Sequence, residues 1–300
     1  MEFVRNKDFH KEFHKECILC KSKKIKNRYI VDTFTIVRCY DCSFQFVADK
    51  LSVEELKDFY ENDPSEMDDL TYRDSDNIAN LNNYYTRLSK LINKKAQLGK
   101  ILDVGCNAGY FLDCMDGWER HGVELVNSQA AVAKEKYGDN IFNGAFENYK
   151  FSEQYFDVIT LQDVLDHMSD PIDCLERCKL LLRPNGLIVV KVHNISCLFS
   201  KLSGSKFYAI CPPVHLGYFN KKSLAVAFQR VSFKFDEYMF LPSFIYLKMV
   251  PYRMSKKNKN SVWYSLYQML NNTRIGNFGF QKNLHDIITV FGYNEGDKFH

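Results

Sequence analysis

The chain has 300 residues, 46% of them hydrophobic, and a formal net charge of +3. That length supports one large α/β core plus a small appendage, because single hydrophobic cores stop growing near about 250–300 residues. So small a charge excess argues against the concentrated positive face of a nucleic-acid binder, and no segment approaches the roughly 18 uncharged apolar residues of a membrane span. The N-terminus, MEFVRNKDFHKEF, is mixed polar and charged, so the chain is expected in the cytoplasm.

In a chain of that kind, ten cysteines should be mostly reduced thiols. Cys17-x2-Cys20 and Cys39-x2-Cys42 form two knuckles separated by 18 residues. Each places two soft thiolates on one turn, the donor set tetrahedral zinc requires, so residues 1–48 read as a zinc-ribbon-like module with structural zinc on Cys17, Cys20, Cys39 and Cys42. The alternative is four unliganded thiols around a hairpin. A module this small is poorly held by apolar burial alone, which favours the metal. His10 and His14 are nearby imidazoles, but two complete knuckles leave them no vacancy. Cys106, Cys114, Cys174, Cys178, Cys197 and Cys211 read as small buried side chains.

Residues 49–98 read as a helical linker. Ser52 and Glu55 form a capping box for a short helix, and residues 64–76 are an acidic loop. From Ile78 to Leu98, Leu81, Tyr84, Tyr85, Leu88, Leu91 and Ile92 fall at helical spacing. From residue 99 to 300, strand-like and helix-like segments alternate: KILDV, a helix from Tyr110, WERHGVE, a helix from Ser128 to Tyr137, FDVITLQ, a helix from Ile172 to Leu182, and LIVVKVHN after a Pro184-Asn185-Gly186 turn. Such alternation predicts a parallel Rossmann-like sheet with helices on both faces. FKFDEYMFL and LHDIITVFG read as an antiparallel edge pair. Between them, 243–280 is aromatic and basic without a clear period: a lid-like insertion, a partner surface or a poorly ordered stretch. Its Lys256, Lys257 and Lys259 read as a solvated loop.

The chemistry-bearing motif is ILDVGCNAGYF, residues 101–111. Gly105 and Gly109 flank a turn in which the backbone must pass close to a ligand or swing sharply into a helix. Asn107 stands where dinucleotide folds carry another glycine; it tolerates left-handed angles, but the diphosphate cradle is weakened. Glu124 lies 19 residues beyond Gly105, where a carboxylate can take both hydroxyls of a ribose. The pattern describes a nucleotide-type cofactor without a diphosphate.

ILDVGCNAGYF, GVELVNSQAAVA, FDVITLQDVLDHMSDP and LLRPNGLIVVKV, in this order, resemble the motifs of the class I S-adenosylmethionine-dependent methyltransferases, with a seven-stranded sheet. PPVHLGYFNKKSL, from Pro212 to Leu224, is similar to a segment of bacterial methyltransferases acting on sugars and cell-surface glycans, some of which carry an N-terminal zinc module. Deoxysugar C-methyltransferases of that group have a Glu-His pair where this chain has Val214 and His215, which favours oxygen over carbon methylation. The resemblance implies that Asp103 helps position the methionine amino group, with Gly105, Asn107 and Gly109 beside it. It also implies ribose on Glu124, adenine against Leu125, Ala145 and Phe146, and further cofactor contacts from Gln162 and Asp163.

A sugar hydroxyl is a weak acid, so its methylation calls for a base at the carboxyl ends of the strands. His215 is the first candidate and His167 the second, with Tyr218 in the same segment; His193 and Asn194 end the fifth strand. Asp163, Asp166 and His167, on the helix expected after the fourth strand, could alternatively hold a divalent cation, as in members that methylate quinone precursors. The implied acceptor is a small molecule or glycan. Two rivals remain: a zinc-assisted RNA methyltransferase, using Lys21, Lys23, Lys24, Lys26 and Arg28, and a non-catalytic S-adenosylmethionine-binding interaction protein.

Overall fold

A computed structural model describes residues 12–51, 55, 75–255, 260–271 and 273–296. His10, Ser52, most of the acidic stretch 64–76 and the lysines at 256, 257 and 259 lie outside the described residues.

The centre is a seven-stranded sheet. Its strands are β4 (Lys100–Val104), β5 (Glu119–Glu124), β6 (Ile141–Asn143), β7 (Phe156–Gln162), β8 (Leu182–His193), β10 (Phe233–Met239) and β13 (Ile287–Asn294), in the order β10-β13-β8-β7-β4-β5-β6. The five strands β4 to β8 run parallel, and β13 lies antiparallel between β8 and β10, as the alternation and the edge-pair pattern predict. Alternate residues of each strand enter opposite cores. Leu102, Ile159, Leu161, Ile188, Val190 and Val290 face one side, and Ile101, Val158, Leu187, Val189 and Phe291 the other. The first core packs on helix α3 (Pro171–Leu181) and helix α5 (Lys221–Arg230); the second packs on helix α1 (Ser75–Lys95) and helix α2 (Asn127–Tyr137). Helix α1 thus begins and ends slightly earlier than the apolar spacing indicated.

Two expected helices are absent. The segment after Tyr110 makes only a 3-10 turn, Leu112–Cys114, because left-handed glycines bracket it: Gly109 at φ +80° and Gly117 at φ +83°. Nor does a helix follow β7. Asp163 takes φ +54°, residues 165–167 form a turn, and helix α3 starts only where Asp170 caps it, its Oδ1 accepting from the Ile172 and Asp173 amides.

The N-terminal module is welded to the main domain. Strands β1 (Ile25–Val31), β2 (Phe34–Cys39) and β3 (Gln45–Val47) form an antiparallel ribbon, and β3 continues onto β9 (Gly217–Tyr218). Phe44 packs on Phe219 with ring centroids 4.6 Å apart, Asn220 donates to the Ser43 carbonyl and Arg230 to that of Leu19. Cys17, Leu19, Cys39, Cys42 and Phe44 therefore share one core with the central sheet. The segment Pro212 to Leu224 thus has a structural duty as the strand that receives the module.

The stretch 243–280, where no period was evident, forms regular elements. After helix α4 (Leu198–Ser203) and α5, a two-stranded ribbon of β11 (Ser243–Tyr246) and β12 (Gly279–Lys282) encloses helix α6 (Met249–Met254) and helix α7 (Val262–Asn271). Ile245, Met249, Tyr252, Tyr264 and Tyr267 make its small core. No described helix is long and apolar enough to cross a membrane.

Candidate active site

The chain leaves β4 toward β5 and β6 on one side, and returns to β7 and β8 on the other. β4 and β7 are therefore neighbours whose following loops diverge, the crevice in which open α/β sheets bind ligands. On the β4 side, Gly105 takes φ +72°, and a Cβ there would lie 2.5 Å from Val164 Cγ2, so glycine is required by angle and by space. Asn107 occupies the left-handed region at φ +51°, as its residue type allows, and its Oδ1 accepts from the Ala108 amide.

Glu124, at the end of β5, is buried and ties the turn to the next strand. Its two carboxylate oxygens accept from the Asn107 and Val126 amides, each at 2.8 Å. These bonds leave lone pairs for further donors such as ribose hydroxyls. Asp103, buried in β4, accepts from the Thr160 hydroxyl; burial pushes its carboxyl up to about 7, against the opposing pull of that bond. Leu125 is 38% exposed beside the cleft, whereas Phe146 is buried in the main core with Arg177 over its ring; Ala145 precedes it, partly exposed.

On the β7 side lies a set of buried polar atoms without hydrogen-bond partners among the described residues: both amide atoms of Gln162, Asp163 Oδ1 and Asp166 Oδ1. Such atoms are costly unless something completes them. Asp163 is further held by Lys191 of β8, a buried ammonium on its Oδ2, with the Tyr84 ring 4.7 Å from the same nitrogen. Lys191 was not singled out by sequence, where it reads as one polar residue in an apolar strand.

Three imidazoles gather around Asp166. His193 Nδ1 lies 3.2 Å from Asp166 Oδ2, the His193 and His215 rings are 5.0 Å apart, and the His167 and His215 rings 4.6 Å. His215 Nδ1 is 2.7 Å from the Ala209 carbonyl, which can only accept; that nitrogen therefore carries the proton and Nε2 the lone pair. Cys211 Sγ also lies 3.3 Å from His215 Nδ1. Tyr218 is buried, and its hydroxyl donates to the His215 carbonyl, so it positions the His215 backbone. Burial pulls His193 and His215 down, yet Asp166 acting on the first, and Cys211 with Asp166 acting on the second, bring both above the ordinary imidazole value. His167 falls to about 4, through burial and then the charge of His215. Burial acts against the Asp166 charge, but the imidazoles hold its carboxyl well below the usual range.

Among the described residues, two sets of side chains have ligand-atom spacing for a cation. The sulfurs of Cys17, Cys20, Cys39 and Cys42 lie within 4.8 Å of one another, with Cys17–Cys42 and Cys20–Cys39 at 3.5 Å. A tetrahedral zinc with ~2.3 Å bonds needs sulfur–sulfur edges of about 3.8 Å, so the four thiols fit the ion. The other set is Asp166, His193 and His215. It shares only Asp166 with the trio Asp163, Asp166 and His167 expected from sequence; Asp163 is instead paired with Lys191.

A family model described as a methyltransferase domain matches residues 76–238, more than half of the chain. Among curated proteins, the ubiquinone biosynthesis O-methyltransferase of Actinobacillus pleuropneumoniae serotype 5b is 27% identical over 107 residues, covering 32% of this chain and 46% of that protein. Its counterpart in Cereibacter sphaeroides (strain ATCC 17023) is 32% identical over 105 residues, covering 32% and 41%. The chain thus spans less than half the length of these relatives. Among solved structures, a putative methyltransferase from Bacillus halodurans aligns with a TM-score of 0.51 at 14% identity, over 69% of this chain and 99% of that one. A SAM-dependent methyltransferase from Archaeoglobus fulgidus gives 0.51 at 18% identity, over 77% and 100%.

Proposed function

The chain belongs to the methyltransferase-domain family, and from that premise we propose that it transfers the methyl group of S-adenosylmethionine to a hydroxyl of a sugar, glycan precursor or related small metabolite. Methyl transfer from a sulfonium is an in-line displacement whose leaving group departs neutral. The protein must therefore align the nucleophile, exclude water and remove one proton. Asp103 meets the methionine ammonium, the turn from Gly105 to Gly109 seats the cofactor backbone, Glu124 takes the ribose, and Leu125 with Ala145 flanks adenine, while the Phe146 ring stays in the core. Gln162 and Asp163 offer their buried, unpartnered atoms to the methionine end of the cleft.

Oxygen methylation rests on one observation: His215 presents Nε2 as an acceptor while the Ala209 carbonyl holds Nδ1–H. An imidazole fixed in that tautomer can take the proton of an acceptor hydroxyl as the new bond forms. His193 and Asp166 flank it, and His167 forms the wall toward β7. Zinc on the four cysteines would hold the ribbon against β9 and take no part in the transfer.

A second reading is favoured by the curated relatives, both ubiquinone biosynthesis O-methyltransferases: an aromatic hydroxyl of a quinone precursor, which the same base would serve. Incubating purified protein with S-adenosylmethionine and panels of nucleotide-activated sugars, glycan fragments and phenols, read by mass spectrometry, tests both. A one-methyl gain on a sugar supports the first, on a phenol the second. A gain confined to nitrogen or carbon acceptors would overturn both.

A further inference from the structure

We propose that the insertion between β11 and β12 is a docking surface for an anionic lipid bilayer, which brings the catalytic end of the sheet to the membrane surface. The first observation is an inverted helix. In α7 the polar-headed aromatics Tyr264 and Tyr267 face the small core beside Tyr252, while the aliphatic residues face outward: Val262 is 76% exposed and Met269 74%. With Leu266 these fall at i, i+4 and i+7, one stripe of the helix, and Trp263 lies beside it, also exposed. A helix selected only for water would turn that stripe inward. The same insertion continues the apolar surface after the helix with Ile275 at 67% and Phe278 at 65% exposure. Such a concentration marks a contact surface.

Charge identifies the occupant. Residues 243–280 contain six basic residues, Lys248, Arg253, Lys256, Lys257, Lys259 and Arg274, of which Lys248 is buried, and no aspartate or glutamate. The whole chain, by contrast, carries 40 basic and 37 acidic residues, so this segment is far more cationic than the average, a bias that residues 177–235 share. Exposed aliphatics beside Trp263, in a segment with no acidic residue, match an interface with an apolar interior and negative headgroups. A second copy of the chain would bring the same cations against themselves, so self-association is disfavoured.

Placement gives the docking a purpose. β10 runs antiparallel to β13, and β13 antiparallel to β8, so the carboxyl ends of β10 and β8 lie together. The insertion leaves the sheet just beyond Met239, and re-enters where Ile287 pairs with His193. A bilayer held by the insertion would therefore lie at the end of the sheet that carries Asp166 and His193. That consequence rests on the proposed function; the binding itself does not.

The test is flotation of the full chain with vesicles of phosphatidylcholine alone, or of phosphatidylcholine with phosphatidylglycerol, alongside the variant Val262→Asp/Leu266→Asp/Met269→Asp. The chain should float with anionic vesicles and be released by high salt, with a blue shift of tryptophan emission on binding. The variant should bind about a hundredfold more weakly. Its thermal melting and its S-adenosylmethionine binding by calorimetry should match the parent, which separates lost docking from lost folding. A chain that ignores anionic vesicles, or a variant that floats as well as the parent, would overturn the proposal. So would a solution dimer broken by the same substitutions. Failure of S-adenosylmethionine binding in the parent would instead overturn the cofactor assignment and leave the lipid result intact.

Discussion

Asp166 and His193, 27 residues apart in sequence, meet at 3.2 Å on the carboxyl ends of neighbouring strands, the carboxylate buried and the imidazole partly open to the cleft. In the proposed mechanism this pair sets how the site responds to pH. An imidazole accepts a proton only when neutral, so kcat/KM should rise as pH climbs through the raised values of His193 and His215, above the ordinary 6.5. Asp166→Asn removes a cause of the upward shift in both rings and leaves burial, which lowers them. The rising limb should therefore move to lower pH while the maximal rate falls. A pH profile whose limb stays in place in Asp166→Asn would show that these imidazoles do not carry the proton.

Within the cluster the three histidines are distinguishable. His167, held down to about 4, is already neutral across the working range and cannot produce a limb near neutrality. His167→Ala should keep the pH profile, whereas His215→Ala should lose roughly 10²–10⁴-fold in kcat, the usual contribution of a positioned base. Near-normal turnover of His215→Ala with a true acceptor would remove His215 from the role.

If Asp103 meets the cofactor's ammonium, it links cofactor binding to protons. Its folded value of about 7 lies above the ordinary 3.8, so the folded protein holds this proton more tightly than the unfolded chain. Below 3.8 the group is neutral in both states and costs nothing. As pH rises from 3.8 toward about 7 the unfolded chain ionises first, and stability from this group declines until the loss is complete above about 7. Asp103→Asn should flatten that part of the stability–pH curve in chemical denaturation. A bound methionine ammonium should restore the ordinary ionised form. Calorimetry of S-adenosylmethionine binding near pH 6.5 should then show an enthalpy that varies with buffer ionisation heat, the signature of proton release, and Asp103→Asn should abolish the variation.

Glu124 does two jobs with two oxygens. Glu124→Gln leaves one carbonyl oxygen where two carboxylate oxygens accepted from the Asn107 and Val126 amides, so one buried amide loses its partner. The expected cost is ~1–3 kcal/mol in the turn, and S-adenosylmethionine affinity should fall by about tenfold or more. Equal affinity in isothermal titration would separate Glu124 from the ribose.

The turn assigned to the donor in the proposed function could be read from sequence because it is local. Gly105, Asn107, Gly109 and Glu124 lie within one strand-turn-strand unit, and the φ +51° of Asn107 is what its residue type foretells. The cluster proposed to serve the acceptor could be read only as separate residues. His215 and His167 could be named, but the junction of Asp166 with His193 and the burial of Lys191 against Asp163 arise from sheet pairing between β7 and β8. No spacing within either strand encodes that pairing. The helices expected after Tyr110 and Asp163 failed for the opposite reason: left-handed residues there override the apolar pattern, and propensity yields to a single backbone angle. In 243–280 the helical pattern was hidden because α7 faces water with its aliphatic side, which defeats a search for an apolar stripe turned toward a core.

The cysteine cluster should govern more than its own ribbon. Cys17, Cys39 and Cys42 lie in the same buried cluster as Phe219, Leu224 and Phe228 of the main domain, and β3 ends in a sheet with β9. Zinc measured by elemental analysis should be one per chain, and Cys39→Ser should bind less. If the four sulfurs hold the ion, chelation removes the tie between the Cys17 and Cys39 knuckles. The loss would propagate through Phe44 and Phe219 to the segment 212–218 that carries His215. Chelation should therefore lower the melting temperature of the whole chain in one transition and cut methyl transfer, even though the metal touches no reacting atom. A separate low-temperature transition, with the main domain melting unchanged and activity kept, would mean that the ribbon and the catalytic domain are energetically independent.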